Sequence, residues 1–146
     1  MRSIQFFLFV FCLCLISCQD TQPKFHKSHY PKKAEAPFSD LVEVGNTLYL
    51  AGQIGMDHNS RTLVSGGVEA ETKQAILNLK EVLELHNSSL DQVVKCTVIL
   101  SDINDFAEFN EVYVQYFPNK PARTTFAASG LARNAKIEIE CIAVKK

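Results

Sequence analysis

The sequence predicts one α+β domain, in which a single sheet is covered on one face by two helices. The chain has 146 residues, 47% of them hydrophobic, which is enough for one packed domain. Strand-type runs begin at Leu41, Thr47 and Val93 and recur near the C-terminus. Two stretches with helical periodicity interrupt these runs. Strands with two interspersed helices favour a layered sheet-and-helix fold.

Composition and charge bear on the function classes. The formal net charge is −1, there is no Trp, and no Lys/Arg run exceeds two residues. Nucleic-acid binding domains usually carry a basic patch and often stacking aromatics, so we predict no nucleic-acid partner. No CxxC or HExxH spacing indicates a metal site. Two histidines near the N-terminus, His26 and His29, are too few for a structural zinc site.

The N-terminus has the pattern of an export signal. After the basic start at Arg2, residues 4–16 are almost wholly apolar. They are too few for a membrane span, which needs about 20 residues. The stretch ends in Leu15-Ile16-Ser17-Cys18, which resembles the lipobox of bacterial lipoproteins. The resemblance implies cleavage before Cys18, acylation of that cysteine, and a chain anchored to a membrane of the cell envelope.

The predicted organisation follows from that signal. Residues 1–17 are expected to be the lipoprotein signal peptide, residues 18–37 a lipid-anchored tether, and residues 38–146 the folded domain. The tether prediction depends on a polar, proline-containing composition without periodicity. An uncleaved anchor and a plain secretory signal remain alternatives for the N-terminal stretch.

The first half of the domain predicts a hairpin and a helix. Two strand-type runs flank Gly45-Asn46, residues that tolerate the positive φ of a two-residue turn. Gly52 follows the second run, where a glycine indicates either close backbone approach by a ligand or a bulge. A short third strand is expected near Thr62. Residues 68–86 predict a helix whose apolar stripe comprises Ala75, Ile76, Leu79, Val82 and Leu83.

The second half predicts a strand, a helix and two further strands. Residues 93–100 are apolar on both faces, which is typical of an interior strand. A helix follows, with its apolar face formed by aromatic residues from Phe106 to Phe117, and Pro118 ends it. The last two strands are expected to form a hairpin around residues 130–135. The sheet face away from the helices then needs cover, which favours oligomerisation.

Cysteines inside the domain are predicted to be structural. Cys96 and Cys141 both lie in strand-type runs with apolar neighbours. Free buried cysteines that act as small hydrophobic side chains fit this setting best. A disulfide between them remains an alternative in an oxidising compartment.

From about Ala36 to Val144 the chain resembles the Rid/YjgF family of reactive-intermediate deaminases. The resemblance is carried by Ala36-Pro37, Val44-Gly45-Asn46, Ala51-Gly52-Gln53-Ile54, Ile103-Asn-Asp-Phe, Pro121-Ala-Arg123 and Lys136-Ile-Glu-Ile-Glu-Cys-Ile-Ala-Val. It implies a chorismate-mutase-like fold and a homotrimer whose sheets line an inner barrel. It also implies hydrolysis of 2-imino acids or their enamine tautomers to 2-keto acids and ammonia, in clefts between subunits, without a cofactor.

The same resemblance implies the catalytic residues. Arg123 corresponds to the arginine that binds the substrate carboxylate, a task suited to a planar guanidinium. Glu138 corresponds to the glutamate that positions water and moves the proton. Glu140 is the less favoured candidate for that role. If Ser129 pairs with Lys136, then Glu138 lies on the same sheet face as Arg123. A site that takes the two residues from different subunits remains an alternative.

Four further positions are expected to bind substrate. Gly52, Thr125 and Asn110 match cleft-lining positions of the family, and Thr125 stands where many members have cysteine. Phe38 departs from the tyrosine of many deaminating members, so it keeps a ring but lacks the hydroxyl. This departure leaves a second hypothesis, a trimeric module that binds small carboxylates without turnover. A ribonuclease, an activity attributed to relatives, is the third.

Overall fold

The structure, a computed structural model, describes residues 22–146. The strands are β1 (Lys24–His26), β2 (Leu41–Val44), β3 (Thr47–Ile54), β4 (Met56–Asp57), β5 (Thr62–Leu63), β6 (Val93–Leu100), β7 (Ala122–Ala127) and β8 (Ile137–Val144). The helices are α1 (Gly67–Leu85) and α2 (Phe106–Tyr116). Six strands form one mixed sheet, while β4 and β5 form a separate ribbon. The predicted α+β domain with two helices is confirmed.

The strand order differs from the predicted one at the C-terminus. The order in the sheet is β1-β2-β3-β8-β6-β7, so β8 pairs with β3 and β6, and β7 is an edge strand. The prediction that β7 and β8 form a hairpin is therefore wrong. The physical reason is that α2 joins β6 to β7, and a helical crossover brings the second strand in parallel to the first. The interior position predicted for β6 is confirmed.

The core lies between the helices and one face of the sheet. All five residues of the predicted α1 stripe are buried. They pack with alternate residues of the strands, including Leu48, Val98 and Ile139, which have no solvent exposure. The aromatic face of α2 contributes Phe109, Tyr113 and Phe117 to the same core.

The other face of the sheet, here called the open face, keeps apolar side chains in contact with solvent. Register places Phe25, Val42, Tyr49 and Ile142 in one row across four strands. Tyr49 is 46% exposed and Phe126, further along the sheet, is 45% exposed. The expectation of an uncovered face thus holds for the described residues. Large exposed apolar patches are typical of interaction surfaces.

The segment before the domain is not a free tether in its described part. β1 pairs antiparallel with β2, and Tyr30 donates a hydrogen bond from its hydroxyl to Glu81 Oε2 of α1 at 2.7 Å. The side chains of Lys33 and Asp40 form a buried ion pair at 2.7 Å. Composition does not reveal these pairings, because each depends on how the chain folds back on itself.

The predictions for the signal peptide and for Cys18 lie outside the described residues. Within residues 22–146, no helix is long and apolar enough to cross a membrane. His26 approaches Glu43, and His29 approaches Glu81 at 2.9 Å, so the two histidines contact different carboxylates.

Candidate active site

Glu138 lies at the wall of a cavity on the open-face side of the sheet. Register pairs Glu138 with Ile54 of β3 and with Ile99 of β6. The cavity has a volume of about 500 Å³ and is also lined by Phe38 and Gly52. Three of the residues predicted from the sequence are therefore brought together within one chain. This set is called the Glu138 half-site below.

Gly52 lies at a bulge, which is one of the two alternatives predicted for it, and its backbone lies against the side chain of Glu138. The pairing of β3 with β8 is irregular between Leu50 and Gln53, so a bulge is present. A Cβ atom at position 52 would overlap Oε1 of Glu138 and would lie 2.9 Å from its Cδ. Only glycine leaves room for the carboxyl group at this position. The backbone of Gly52 therefore forms the floor against which Glu138 is held.

The environment of Glu138 favours its protonated form. Burial raises the pKa of its carboxyl above the ordinary value, and repulsion from Glu140 raises it further. Glu140 lies two residues along on the same face, but it is exposed and does not line the cavity. A carboxyl with a raised pKa in a cavity is suited to proton transfer. The preference for Glu138 over Glu140 thus agrees with the geometry.

Arg123 is held on the helix-covered side of the edge strand β7. Its Nη1 donates a hydrogen bond to Asn110 Oδ1 at 2.9 Å. Its Cζ lies 4.6 Å from the ring centroid of Tyr113 and 5.0 Å from that of Phe109. Cation–π contacts and a fixed acceptor together restrict the guanidinium to one position. Arg123, Asn110 and Thr125 are called the Arg123 half-site below.

Thr125 lies two residues beyond Arg123, on the same face of β7. Its Oγ1 is buried and has no hydrogen-bond partner among the described residues. An unpaired buried hydroxyl costs free energy until a ligand, a water or another chain satisfies it.

The two half-sites lie on opposite faces of the sheet in one chain. Arg123 pairs with Cys96 of β6, whereas Glu138 pairs with Ile99, three residues along the same strand. Side chains alternate between faces, so positions 96 and 99 point in opposite directions. The Ser129–Lys136 pairing that was assumed for a shared face therefore does not form, and Arg123 and Glu138 do not share a face. The cause is the insertion of β6 between β7 and β8.

Sequence reasoning missed several polar groups in the cavity of Glu138. Gln53, His58, Arg61 and Arg133 also line it. Burial, helped by the charges of Lys33 and Arg61, lowers the pKa of His58 to about 4, so this ring is neutral at physiological pH. His58 and Arg61 lie in a polar turn, and Arg133 lies in the loop between β7 and β8. No periodicity distinguishes such loop residues from solvated charges.

The domain cysteines are free and buried. Their Sγ atoms are 3.1 Å apart on neighbouring strands, and Cys96 lies beside Arg123 in the register. The expectation of buried thiols is confirmed.

Residues 28–145 match the sequence pattern of a family described as Endoribonuclease L-PSP. Human 2-iminobutanoate/2-iminopropanoate deaminase is 48% identical over 113 residues, which cover 77% of this chain and 82% of the human protein. A RutC family protein of Pyrococcus abyssi is 44% identical over 115 residues, covering 78% of this chain and 91% of that protein.

Solved structures show the same architecture. The YjgF gene product of E. coli superposes with a TM-score of 0.77 at 31% identity, covering 84% of this chain and 99% of the other. A protein of Thermotoga maritima described as a putative endoribonuclease gives a TM-score of 0.78 at 42% identity, covering 84% and 98%. The resemblance to the Rid/YjgF proteins inferred from the motifs is confirmed by these similarities.

Proposed function

We propose that this chain, which belongs to the Endoribonuclease L-PSP family, hydrolyses 2-imino acids, or their enamine tautomers, to 2-keto acids and ammonia. One observation carries the proposal: Glu138 projects into a cavity against Gly52 with a raised pKa. The names of the similar mammalian proteins, which are 2-iminobutanoate/2-iminopropanoate deaminases, support the same reaction class.

Glu138 supplies the proton transfers of this reaction. Its carboxylate accepts a proton from water while the water oxygen attacks the carbon of the protonated imine. The resulting tetrahedral adduct carries a hydroxyl and an amino group. The protonated Glu138 then donates to the amino nitrogen, and the carbon–nitrogen bond breaks. The hydroxyl passes its proton to the released ammonia or to solvent as the keto group forms, which leaves Glu138 as a carboxylate. The raised pKa makes Glu138 an effective donor in the second step.

Arg123 binds the α-carboxylate that every 2-imino acid carries. A guanidinium presents two parallel donors to a carboxylate, and Asn110 with the rings of α2 fixes its position beforehand. This organisation lowers the entropic cost of binding the substrate in a reactive orientation. The neighbouring Thr125 hydroxyl is a candidate for a further hydrogen bond to substrate or water.

The active site needs a second copy of the chain, because the two half-sites lie on opposite faces in one copy. We propose a homotrimer in which the Glu138 half-site of one subunit meets the Arg123 half-site of the next. The partly exposed apolar row on the open face supports such an assembly, since its burial would stabilise the contact. The free edge of β7 adds a second surface for contact between subunits.

A turnover assay tests the proposed function. 2-Iminobutanoate is generated from L-2-aminobutanoate by an amino-acid oxidase, and its decay is followed with the purified full chain. We expect acceleration that falls by roughly 100-fold or more in Glu138→Gln and in Arg123→Ala. Glu111→Gln, an exposed carboxylate of α2, is the matched control and should retain full activity. If the wild-type chain does not accelerate the decay, the proposal is wrong.

Two alternative functions, a binding module and a ribonuclease, predict different results with the same purified protein. Phe38 lines the cavity and lacks a hydroxyl, which fits a module that binds small carboxylates without turnover. Saturable binding of 2-oxobutanoate without imine decay would support that module. Because the family is described as an endoribonuclease, the same proteins are also incubated with a single-stranded RNA. Degradation by the wild-type chain, but not by Glu138→Gln, would support a nuclease.

We also propose that acyl chains on Cys18 anchor the protein to a membrane of the cell envelope. The support is the sequence pattern, which places a small residue and then Cys18 after an apolar stretch. Cys18→Ala should abolish labelling by a tagged fatty acid and release the protein from membranes. Cys12→Ala should leave both unchanged, and a Cys18→Ala protein that stays on the membrane would contradict the proposal.

A further inference from the structure

The Glu138 cavity contains polar groups that the proposed reaction does not use. Gln53 is 2% exposed and His58 is 7% exposed, and both line the cavity. In the described part of the chain, Gln53 Nε2, His58 Nδ1 and Arg61 Nη1 are buried without a hydrogen-bond partner. A buried donor that forms no hydrogen bond is destabilising. Gln53 Nε2 and Arg61 Nη1 are such donors, whereas His58 Nδ1 is an acceptor, because Nε2 of the neutral ring donates to Gln53 Oε1 at 3.2 Å. Two unpaired donors on residues that line one cavity therefore indicate a ligand with acceptor atoms.

The charges around the cavity favour an anionic ligand. Its cationic side chains are Lys32, Lys33, Arg61 and Arg133, and its carboxylates are Glu35 and Glu138. Lys33 is neutralised by Asp40. Among residues 22–146, neither arginine forms an ion pair. Two guanidinium groups without a carboxylate partner therefore remain beside the cavity.

The backbone holds both arginines in a conformation that side chains rarely adopt. Arg61 has φ of 62° and Arg133 has φ of 59°, in the left-handed region. Arg133 Nη1 donates to the carbonyl oxygen of Arg61 at 3.2 Å, which joins two loops that both line the cavity. Glycine would adopt this conformation without strain. Arginine at both positions, each with a backbone cost, is consistent with a role for the side chains.

We propose that Arg61, assisted by Arg133 and the amide of Gln53, binds a second carboxylate on the side chain of the substrate. The preferred substrates are then imino acids that derive from dicarboxylic amino acids. The inference rests on the proposed function, because Glu138 in the same cavity is the group that activates water. Arg123 from the neighbouring subunit binds the α-carboxylate, which leaves Arg61 for the distal one.

A selectivity assay tests this assignment in the full chain. Iminosuccinate and 2-iminobutanoate are generated in situ by an aspartate oxidase and an amino-acid oxidase, and kcat/KM is measured for each. We expect the wild-type chain to prefer iminosuccinate by roughly tenfold or more, since charge-assisted hydrogen bonds to carboxylates are strong. Arg61→Asn removes the guanidinium, and asparagine tolerates the left-handed backbone. The ratio of the two kcat/KM values should fall about tenfold in this variant, mainly through KM for iminosuccinate.

Lys120→Asn is the matched control. Lys120 is exposed, does not line the cavity, and has φ of 51°, so the substitution removes one positive charge at the same kind of backbone position. We expect both substrates to be processed by this variant as by the wild-type chain. A ratio that Arg61→Asn leaves unchanged would overturn the assignment. Equal losses on both substrates would also overturn it, because Arg61 would then bind the carboxylate that the two share.

Binding separates failure of this inference from failure of the proposed function. Calorimetric titrations compare 2-oxoglutarate with 2-oxobutanoate on the wild-type chain, Arg61→Asn and Lys120→Asn. The site is supported if the wild-type chain and Lys120→Asn bind 2-oxoglutarate more tightly than 2-oxobutanoate and Arg61→Asn does not. This result would support the site even if no imine is hydrolysed. Equal affinities of the wild-type chain for both keto acids would contradict it, whether or not imines are hydrolysed.

Discussion

The Glu138 and Arg123 half-sites are organised by different means. Glu138 lies in a cavity whose shape depends on the absence of a side chain at Gly52 and on two strained loops. Arg123 lies on the opposite face, where aromatic rings of α2 and Asn110 hold it. Each half-site is therefore preformed within its own chain. In the proposed homotrimer, assembly would bring two preformed half-sites together, which would keep the loss of conformational freedom small.

Gly52→Ala tests the cavity, and among the four tests described here we expect the largest effect from this variant. The new Cβ would overlap the Glu138 carboxyl and displace it from the attacking water. We expect kcat/KM on 2-iminobutanoate to fall about 100-fold, because displacements near 1 Å have effects of this size. Gly130→Ala is the control, since no atom lies within 4 Å of a Cβ at that position. Wild-type activity in Gly52→Ala would show that the glycine is not needed for catalysis.

Asn110→Ala tests the Arg123 half-site. The substitution removes the acceptor that fixes Nη1 of Arg123 and leaves the aromatic contacts in place. We expect KM to rise about tenfold with a smaller change in kcat, since the variant weakens carboxylate binding and leaves Glu138 untouched. Gln115→Ala, at an exposed position of α2, should change neither parameter. A loss confined to kcat would contradict a positioning role for Asn110.

The pH dependence of activity tests the electrostatics of the Glu138 half-site. Glu138 accepts a proton as its carboxylate, so kcat/KM should rise with pH through the raised pKa of this group. Glu140→Gln removes the repulsion that contributes to that pKa, so the acidic limb should move to lower pH. The measurement is a kcat/KM profile for both proteins in one buffer series. If the acidic limb of the Glu140→Gln profile stays in place or moves to higher pH, the titration of Glu138 does not produce that limb.

The smallest expected effect concerns stability. Because the pKa of Glu138 is higher in the folded than in the unfolded chain, the folded state binds more protons between the two values. Stability is therefore lost as pH rises through this window. Glu138→Gln should melt at a higher temperature than the wild-type chain at pH 7, with no difference well below the ordinary glutamate pKa. Glu111→Gln should show no such gain, and a Glu138→Gln protein that melts lower at pH 7 would contradict the reasoning.

The sequence predicts local structure well where periodicity is strong. Both helices, the α1 stripe and β6 lie where their patterns indicated, because burial of an apolar face determines them. Strand order escaped prediction, since residues 128–136 can close a hairpin or cross a neighbouring strand, and the choice depends on α2. β1 escaped because three residues carry no pattern and their partner lies 15 or more positions away.

The candidate site, like the fold, was only partly predictable from the sequence. Glu138, Gly52 and Phe38 could be placed together from motifs, whereas the separation from Arg123 required the sheet order. Arg61 and His58 could not be found, because an unpaired buried atom is a property of three-dimensional contacts.

Complementation between two inactive variants tests the central claim that each active site combines half-sites of two copies. Arg123→Ala and Glu138→Gln are co-expressed with different affinity tags, and mixed assemblies are isolated by purification on both tags. In a cyclic trimer with either stoichiometry, one of the sites combines an intact Arg123 with an intact Glu138, so about one third of wild-type activity should return. Mixed trimers, verified by mass, that remain as inactive as the single variants would contradict the claim.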